Sequence, residues 1–284
     1  MSLERLEPAG DVSLSNYTSI KIGGKAKCFY IAESVDDLSS IISSIGSDFY
    51  LLGKGSNLLV ADCLIKKPII KLGRNFTYLR EKGNLLEVGA STPLSFLIKY
   101  CLENNLSGVE NLIGIPATIG GLLAMNAGSF GQSISSSLIE VDLIDQAGNF
   151  KTLKRKEITF GYRFSSLQEY IILAARLKLL PGKDLRSKAS KSLAKRLNGQ
   201  DFDFPSCGSV FKNTSELSAG FLIDSLELKG LKKGDAQVSQ RHANFIINLG
   251  AAQYNDVDYL IQKIKDQINK KYSIILQEEI KRWE

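Results

Sequence analysis

The stretch LLGKGSNLLV, Leu51 to Val60, is an apolar strand-like run that breaks at Gly53 and Gly55, turns through Ser56 and Asn57, and becomes apolar again. Glycine permits left-handed backbone angles and lacks the Cβ that would hold an anion away from the amide groups, while Ser56 and Asn57 add hydrogen bonds. Gly53, Gly55, Ser56 and Asn57 therefore form a candidate pyrophosphate cradle. The spacing is not that of a Rossmann fingerprint, and there is no P-loop lysine followed by Ser or Thr. Taken alone, the same turn reads as an ordinary hairpin loop.

A second segment, GIPATIGGLLAMNAGSFG from Gly114 to Gly131, adds weight to the first reading. Its glycines and alanines lie among Ile115, Pro116, Ile119 and Met125, so little bulk separates the backbone from whatever lies against it. Such a segment is a tightly packed core turn or a wall for a flat cofactor. Cradle and wall together are what a dinucleotide requires.

Outward from these segments, helical and β-type patterns alternate, as in a mixed α/β architecture. Ser34 is placed to cap a helix with Val35, Leu38, Ile41, Ile42 and Ile45 on one face. Thr92 and Pro93 open another, with Leu94, Leu97, Ile98, Cys101 and Leu102 inward. Asn255 is expected to cap a third, striped by Leu260, Ile261, Ile264 and Ile268. Strands are expected at 49–52, 69–72, 85–88, 139–144, 170–179, 243–249 and 273–280. The DQAGN stretch from Asp145 to Asn149 reads as a turn. Pro181-Gly182 reads as a boundary, followed by a basic helix over Lys183 to Arg196 with a solvated face.

Composition narrows the class. A chain of 284 residues with 44% hydrophobic and 23% charged residues resembles a folded globular protein of roughly two compact units. The N-terminal stretch has no signal-peptide pattern, and the apolar runs are too short to span a bilayer, so a cytoplasmic protein without a membrane association is expected. Cys28, Cys63, Cys101 and Cys207 lack metal-ligand spacing and His242 is the sole histidine, so no metal site is expected. The net charge of +6 raises nucleic acid as a partner, but the basic residues are dispersed. The expectation is no nucleic acid, a phosphate-bearing small substrate, and no obligatory protein partner.

The motifs Gly53-Lys-Gly-Ser-Asn57-Leu-Leu-Val60, Gly114-Ile-Pro, Ile119-Gly-Gly and Met125-Asn-Ala-Gly128 resemble the FAD-binding segments of the UDP-N-acetylenolpyruvoylglucosamine reductases. The resemblance begins at Thr18-Ser-Ile-Lys-Ile-Gly-Gly24 and runs almost to the C-terminus. It implies an α+β (mixed α/β) fold: a two-part FAD-binding domain of the vanillyl-alcohol-oxidase type over residues 1–182, with subdomains of about 1–75 and 76–182, and a smaller C-terminal α/β substrate-binding domain over 183–284. It implies bound FAD, contacted also by Ile115, Pro116, Thr118, Gly120 and Gly121, with NADPH as co-substrate. The substrate implied is a UDP-sugar bearing an enolpyruvyl ether.

Three later motifs extend the resemblance. Tyr162-Arg163-Phe164-Ser165 is similar to the family's Tyr-Arg-x-Ser, and Gly208-Ser209-Val-Phe211-Lys-Asn213 to its Gly-Ser-x-Phe-Lys-Asn. Leu276-Gln-Glu-Glu279-Ile is similar to Leu-Glu-x-Glu-Val. Arg163, Ser209 and Glu279 are thereby the implied catalytic residues, and Tyr162, Arg196 and Asn213 the implied substrate contacts. Singly each has a plain structural reading: an exposed ion pair for Arg163, a turn hydroxyl for Ser209, a solvent-facing carboxylate for Glu279. The chemistry nevertheless suits them. Hydride arriving at the terminal carbon of an enolpyruvyl ether leaves negative charge on the neighbouring carbon and its carboxylate, where a fixed cation lowers the barrier. A carbanion is basic enough to take a serine proton. For Glu279 to assist, a buried, perturbed carboxyl is expected.

Cys207 rivals Ser209 as the donor and is read as a packing residue; His242 is read as a structural hydrogen-bonding residue. The sequence departs from the family pattern at Ala117, Gly199, Asp201, Thr214 and Gln277. Two other functions are compatible with the sequence: a flavin oxidoreductase of the same fold acting on a different substrate, and a non-catalytic basic binding protein.

Overall fold

The computed structural model describes residues 8–284. In chain order the principal strands are β1 (Phe29–Ala32), β2 (Tyr50–Leu52), β3 (Leu58–Val60), β4 (Ile69–Leu72), β5 (Leu79–Lys82), β6 (Leu85–Gly89), β7 (Leu138–Ile144), β8 (Phe150–Lys154), β9 (Ile171–Leu177), β10 (Ser206–Ser209), β11 (Ala236–Val238), β12 (Phe245–Asn248) and β13 (Lys281–Trp283). The helices are α1 (Val35–Ile45), α2 (Leu94–Glu103), α3 (Ile119–Ala124), α4 (Leu185–Gly199), α5 (Ala219–Asp224) and α6 (Tyr254–Tyr272). The chain divides into two compact units. The first comprises Cys28–Lys54 and Lys67–Arg196 with a short N-terminal stretch; the second comprises Asp11–Lys27, Gly55–Lys66 and Leu197–Glu284.

In the first unit β1, β4 and β2 form a parallel sheet in that order, and α1 makes the crossover that parallel pairing requires. Ser34 caps α1 as expected: its hydroxyl accepts from the Asp37 amide at 3.0 Å, and the Asp37 carboxylate accepts from the Ser34 amide at 3.1 Å. Leu38, Ile41 and Ile42 are buried, but Val35 is exposed. Its first-turn backbone is held by the capping box rather than by packing.

A five-stranded antiparallel sheet follows, ordered β8-β7-β9-β6-β5. Leu97, Ile98 and Cys101 of α2 and Leu122 and Leu123 of α3 share its core with Val88, Val141 and Ala175. The period-2 alternation sends Glu87, Glu140, Asp142 and Arg176 to a polar face, where Arg176 pairs with Glu87 at 3.1 Å and with Glu140 and Asp142 at 2.7 Å each. The Asp145–Asn149 turn closes β7 onto β8, with the Asp145 carboxylate accepting from the Ala147 and Asn149 amides. Helix α4 is solvated over most of its surface, yet Leu185, Ala189, Ser192 and Arg196 form a buried stripe. Arg196, the implied substrate contact, thus lies on the buried side of this basic helix.

In the second unit β10, β12 and β11 are followed by Lys232–Lys233 in an antiparallel sheet that shares its core with Val257, Leu260, Ile261, Ile264 and Ile268 of α6. Two expectations are corrected here. Helix α6 begins at Tyr254, with the Asp256 carboxylate accepting from the Gln253 amide at 3.0 Å, so Asn255 lies inside the first turn rather than at the cap. The 273–280 stretch is not a strand. It is extended chain pinned by buried Leu276 and Ile280 and one bridge from Glu278 to Phe211, while Ile275 stays 82% exposed. Pairing resumes only at β13, which lies parallel to β3. β-type composition makes a strand only where an edge is available to pair with.

Candidate active site

The loop after β2 is no hairpin. Strand β2 pairs with β4 and β3 pairs with β13, so the two flanking runs do not pair with each other. Gly55 sits at φ +69° and a Cβ there would lie 1.9 Å from the Tyr17 carbonyl oxygen, so only glycine fits. The Gly55 carbonyl accepts from the Ser19 amide at 3.0 Å, which ties the loop to the Thr18–Gly24 segment.

The small-residue segment in the first unit is built for close approach. A Cβ on Gly53 would meet the Thr118 hydroxyl at 3.1 Å, and one on Gly121 would meet it at 3.6 Å, so both glycines face Thr118. Gly120 has a different job: its Cβ would press on Ala90 at 3.2 Å, and its amide donates to the Ala90 carbonyl. Beside them opens a cavity of about 520 Å³ lined by Lys54, Pro93, Ile98, Gly114, Ile115 and Pro116, among others. Asn126 donates its amide to the Gly161 carbonyl at 2.8 Å, and its buried Oδ1 is the side-chain acceptor left without a hydrogen-bond partner among the described residues. A buried orphan acceptor is costly unless a ligand donor meets it.

Tyr162 and Arg163 form the two-residue turn between the short strands Phe160–Gly161 and Phe164–Ser165. Arg163 holds φ +53°, a left-handed conformation that non-glycine residues rarely adopt. Its guanidinium donates to the Gly128 carbonyl at 3.1 Å and lies 5.3 Å from the exposed Tyr162 ring. Ser165 is fully buried and donates to the Leu123 and Ala124 carbonyls, anchoring the turn to α3.

Arg196 reaches the same segment from α4. Its Nε donates to the Ile113 carbonyl at 3.1 Å and its Nη2 to the Ser129 hydroxyl at 2.7 Å. The side chain passes so close to Gly114 that a Cβ there would stand 2.7 Å from its Cδ. Burial, and then the nearby charge of Arg163, push the Arg196 pKa down, although a guanidinium remains cationic at any physiological pH. Two guanidiniums thus converge on Gly128–Phe130.

In the second unit the pairing of β10 with β12 shifts register between Ser206 and Ser209, and Gly208 takes φ +77°. This bulge re-aims Ser209. Its hydroxyl is half-buried and makes no hydrogen bond among the described residues, so it is uncommitted. The Glu279 amide donates to the Val210 carbonyl at 2.8 Å, and the Asn57 side-chain amide donates to the Glu279 carbonyl at 3.0 Å. A Cβ on Gly208 would lie 3.9 Å from the Ser56 carbonyl. Ser56, Asn57, Ser209 and Glu279 are therefore neighbours, drawn from three separate parts of the sequence. Glu279 is intermediate in burial, between the buried Leu276 and Ile280, rather than the fully buried carboxyl expected.

Cys207 is 1% exposed in the core and its thiol is pushed up to about 12 by burial, which fits packing rather than proton donation. His242 also reads as structural: its Nδ1 accepts from the Asn244 amide at 3.3 Å, and burial lowers its pKa. Asn213 accepts from the Ala219 amide at 3.1 Å, holding the start of α5. Among the described residues there is no cluster of His, Cys, Asp and Glu suited to a metal ion, and no helix is long and apolar enough to cross a membrane.

Comparison with known proteins places these residues in a family. The model for the UDP-N-acetylenolpyruvoylglucosamine reductase C-terminal domain matches residues 200–283, and that for an FAD binding domain matches residues 26–154. The UDP-N-acetylenolpyruvoylglucosamine reductase of Synechococcus sp. (strain JA-3-3Ab) is 36% identical, over 95% of this chain and 89% of the relative. That of Prochlorococcus marinus (strain NATL2A) is 38% identical, over 95% of this chain and 96% of the relative. The crystal structure of the reductase from Thermus caldophilus is similar with a TM-score of 0.85, 34% identity and coverage of 96% and 98% of the two chains. The chain belongs to the UDP-N-acetylenolpyruvoylglucosamine reductase family.

FAD, the cofactor of an FAD binding domain, suits the residues present. Gly53 and Gly121 leave the Thr118 hydroxyl open to a ligand, the cavity beside Gly114–Pro116 offers room, and the orphaned Asn126 Oδ1 awaits a donor. The departures from the reductase pattern are absorbed locally. Asp201 is buried, with one carboxylate oxygen accepting from Ser239 at 2.8 Å and the other from the Asp203 amide. The Thr214 hydroxyl accepts from the Glu216 and Leu217 amides, closing its turn without a proline. Gln277 contributes its backbone carbonyl, which accepts from the Lys212 amide.

A signal absent from the sequence reading is Lys71. It lies in a run otherwise read as a plain strand, yet its ammonium donates to the Gly53 carbonyl at 3.2 Å.

Proposed function

We propose that this chain is an NADPH-dependent flavoenzyme that reduces the enolpyruvyl ether of UDP-N-acetylglucosamine enolpyruvate to UDP-N-acetylmuramate, a cytoplasmic step of peptidoglycan precursor synthesis that serves cell-wall biogenesis, cell shape and cell division. The observation that carries the reading is the uncommitted Ser209 hydroxyl, set on a glycine bulge beside the backbone of Glu279. In this reading residues 1–182 serve the cofactor and residues 183–284 the substrate. Bound FAD would supply the redox chemistry, hydride exchange between NADPH and the terminal vinyl carbon of the substrate.

The remaining steps belong to side chains of this chain. Gly53, Gly55, Ser56 and Asn57 hold the cofactor's diphosphate, with Ile115, Pro116, Thr118, Gly120 and Gly121 as its wall. The Arg163 guanidinium, held in a strained turn, meets the negative charge that develops on the substrate carboxylate and its α-carbon. Ser209 Oγ gives its proton to that carbon, and solvent restores it. Glu279 assists by orienting groups around the substrate. Tyr162, Arg196 and Asn213 bind the sugar nucleotide, with Arg196 set for its phosphates.

The test is direct. The purified protein should be yellow, and should consume NADPH in stoichiometric amounts only when the enolpyruvyl sugar nucleotide is added. A colourless preparation that takes up no FAD would refute the flavoenzyme reading, and turnover indifferent to that substrate would refute its identity.

A further inference from the structure

Strand β4 reads Ile69-Ile70-Lys71-Leu72, and its three apolar members are buried at 0%, 0% and 8% exposure. Lys71 is flanked in register by Ile31 of β1 and Leu52 of β2, so it stands in the central strand of a parallel sheet. Such a position ordinarily takes a β-branched apolar residue. The lysine is half-buried, and no carboxylate lies within ion-pair distance of it among the described residues. Its one hydrogen bond goes to the Gly53 carbonyl, 3.2 Å away. Burial first, and then the charge of Lys54, lower its pKa, so a second ammonium stands near the first.

Two cations gathered at one loop with no acid between them destabilise the ligand-free protein. An ammonium has three donors, and among the described residues only one of those on Lys71 is spent, on the Gly53 carbonyl. The bond it makes turns the Gly53 carbonyl toward β4. Gly53 also faces the Thr118 hydroxyl, which has no hydrogen-bond partner among the described residues. Cation, open hydroxyl and a glycine without Cβ form the donor set that a phosphoryl group needs.

We propose that Lys71 is the counter-cation for the diphosphate of the dinucleotide cofactor, neutralising the anion from beneath the Gly53 loop while fixing the Gly53 carbonyl away from it. The inference rests on the FAD reading above. It explains why an unpaired charge persists in a sheet interior: the anion that pairs it arrives with the cofactor.

The experiment titrates the flavin-free forms of wild type, Lys71→Met and Lys71→Arg with FAD and with riboflavin, which lacks the diphosphate, following flavin fluorescence, and records the melting temperature of each flavin-free protein. The expected result is an FAD affinity weakened about 10- to 100-fold in Lys71→Met, from loss of a charge-assisted contact, and largely restored in Lys71→Arg. Riboflavin affinity stays within about twofold, and flavin-free Lys71→Met melts no lower than wild type, because the unpaired ammonium is gone. Equal weakening toward both flavins, or a lower melting temperature with FAD affinity unchanged, would make Lys71 a structural residue and overturn the proposal. Wild type that binds neither flavin would instead remove the FAD reading itself.

Discussion

Replacing Ser209 by Ala removes one oxygen from a hydroxyl that makes no hydrogen bond among the described residues, so the substitution leaves no protein group unsatisfied. Stability should change by less than about 0.5 kcal/mol, as for a surface substitution away from special features. The catalytic consequence is of another size. Loss of a positioned general acid lowers the rate of the proton-transfer step by about 10²- to 10⁴-fold, or ~3–5 kcal/mol. Cys207 offers no rescue, since its thiol is buried in the core and pushed up to about 12. Stopped-flow absorbance separates the half-reactions. Flavin reduction by NADPH should proceed at the wild-type rate, and flavin reoxidation by the enolpyruvyl sugar nucleotide should slow by at least two orders of magnitude. Reoxidation within threefold of wild type would remove Ser209 from the proton-donor role; slowing of both half-reactions together would point to a collapsed cofactor site instead.

Gly55→Ala should cost about 2–5 kcal/mol in denaturant unfolding, because a Cβ would meet the Tyr17 carbonyl at 1.9 Å in a left-handed backbone; a change below 1 kcal/mol would show that the loop can shift without strain. Gly114→Ala should push Arg196 aside, since the new Cβ would stand 2.7 Å from its Cδ, and raise KM for the sugar nucleotide about tenfold; an unaltered KM would detach Arg196 from substrate binding. Glu278 tests the electrostatics of the C-terminal segment. Burial pushes its carboxyl up, but hydrogen bonds and charge from Arg282, 2.7 Å away, and from Lys265 outweigh this and hold its pKa below the usual value. A depressed folded-state pKa contributes stability above the unfolded value of about 4.3, and that contribution is lost as the pH falls through the folded pKa. Glu278→Gln should therefore be less stable than wild type by about 1–2 kcal/mol at pH 7, allowing for solvent screening, and the gap should close in acid; a gap that widens below pH 4 contradicts the ion-pair account.

Much of this molecule is legible from local chemistry. Ser34 and Asp37 encode the start of α1 because capping joins residues three apart, and the apolar stripes of α2 and α6 are buried because helical period alone sets which side chains share a face. Asp145 makes its own turn for the same reason. Local signals fail where two elements compete for one role. At the entrance to α6, Asp256 rather than Asn255 satisfies the free amide, and the 273–280 stretch makes one bridge, from Glu278 to Phe211, instead of a strand.

The glycine loops follow from the sequence by itself, since they depend on residue type and short-range spacing, and the candidate reacting groups are named there through the resemblance of their motifs to the family's. Tertiary structure alone decides which of them meet. Asn57 lies 222 residues from Glu279 and touches its carbonyl, Arg196 threads past Gly114 to grip Ser129, and Lys71 finds Gly53 across two strands. These contacts arise from parallel pairing and helix packing at long range, where no local periodicity carries information. The unpaired charge on Lys71 is the clearest instance: in the sequence it is one lysine in an apolar run, and its significance comes from what the folded sheet withholds from it.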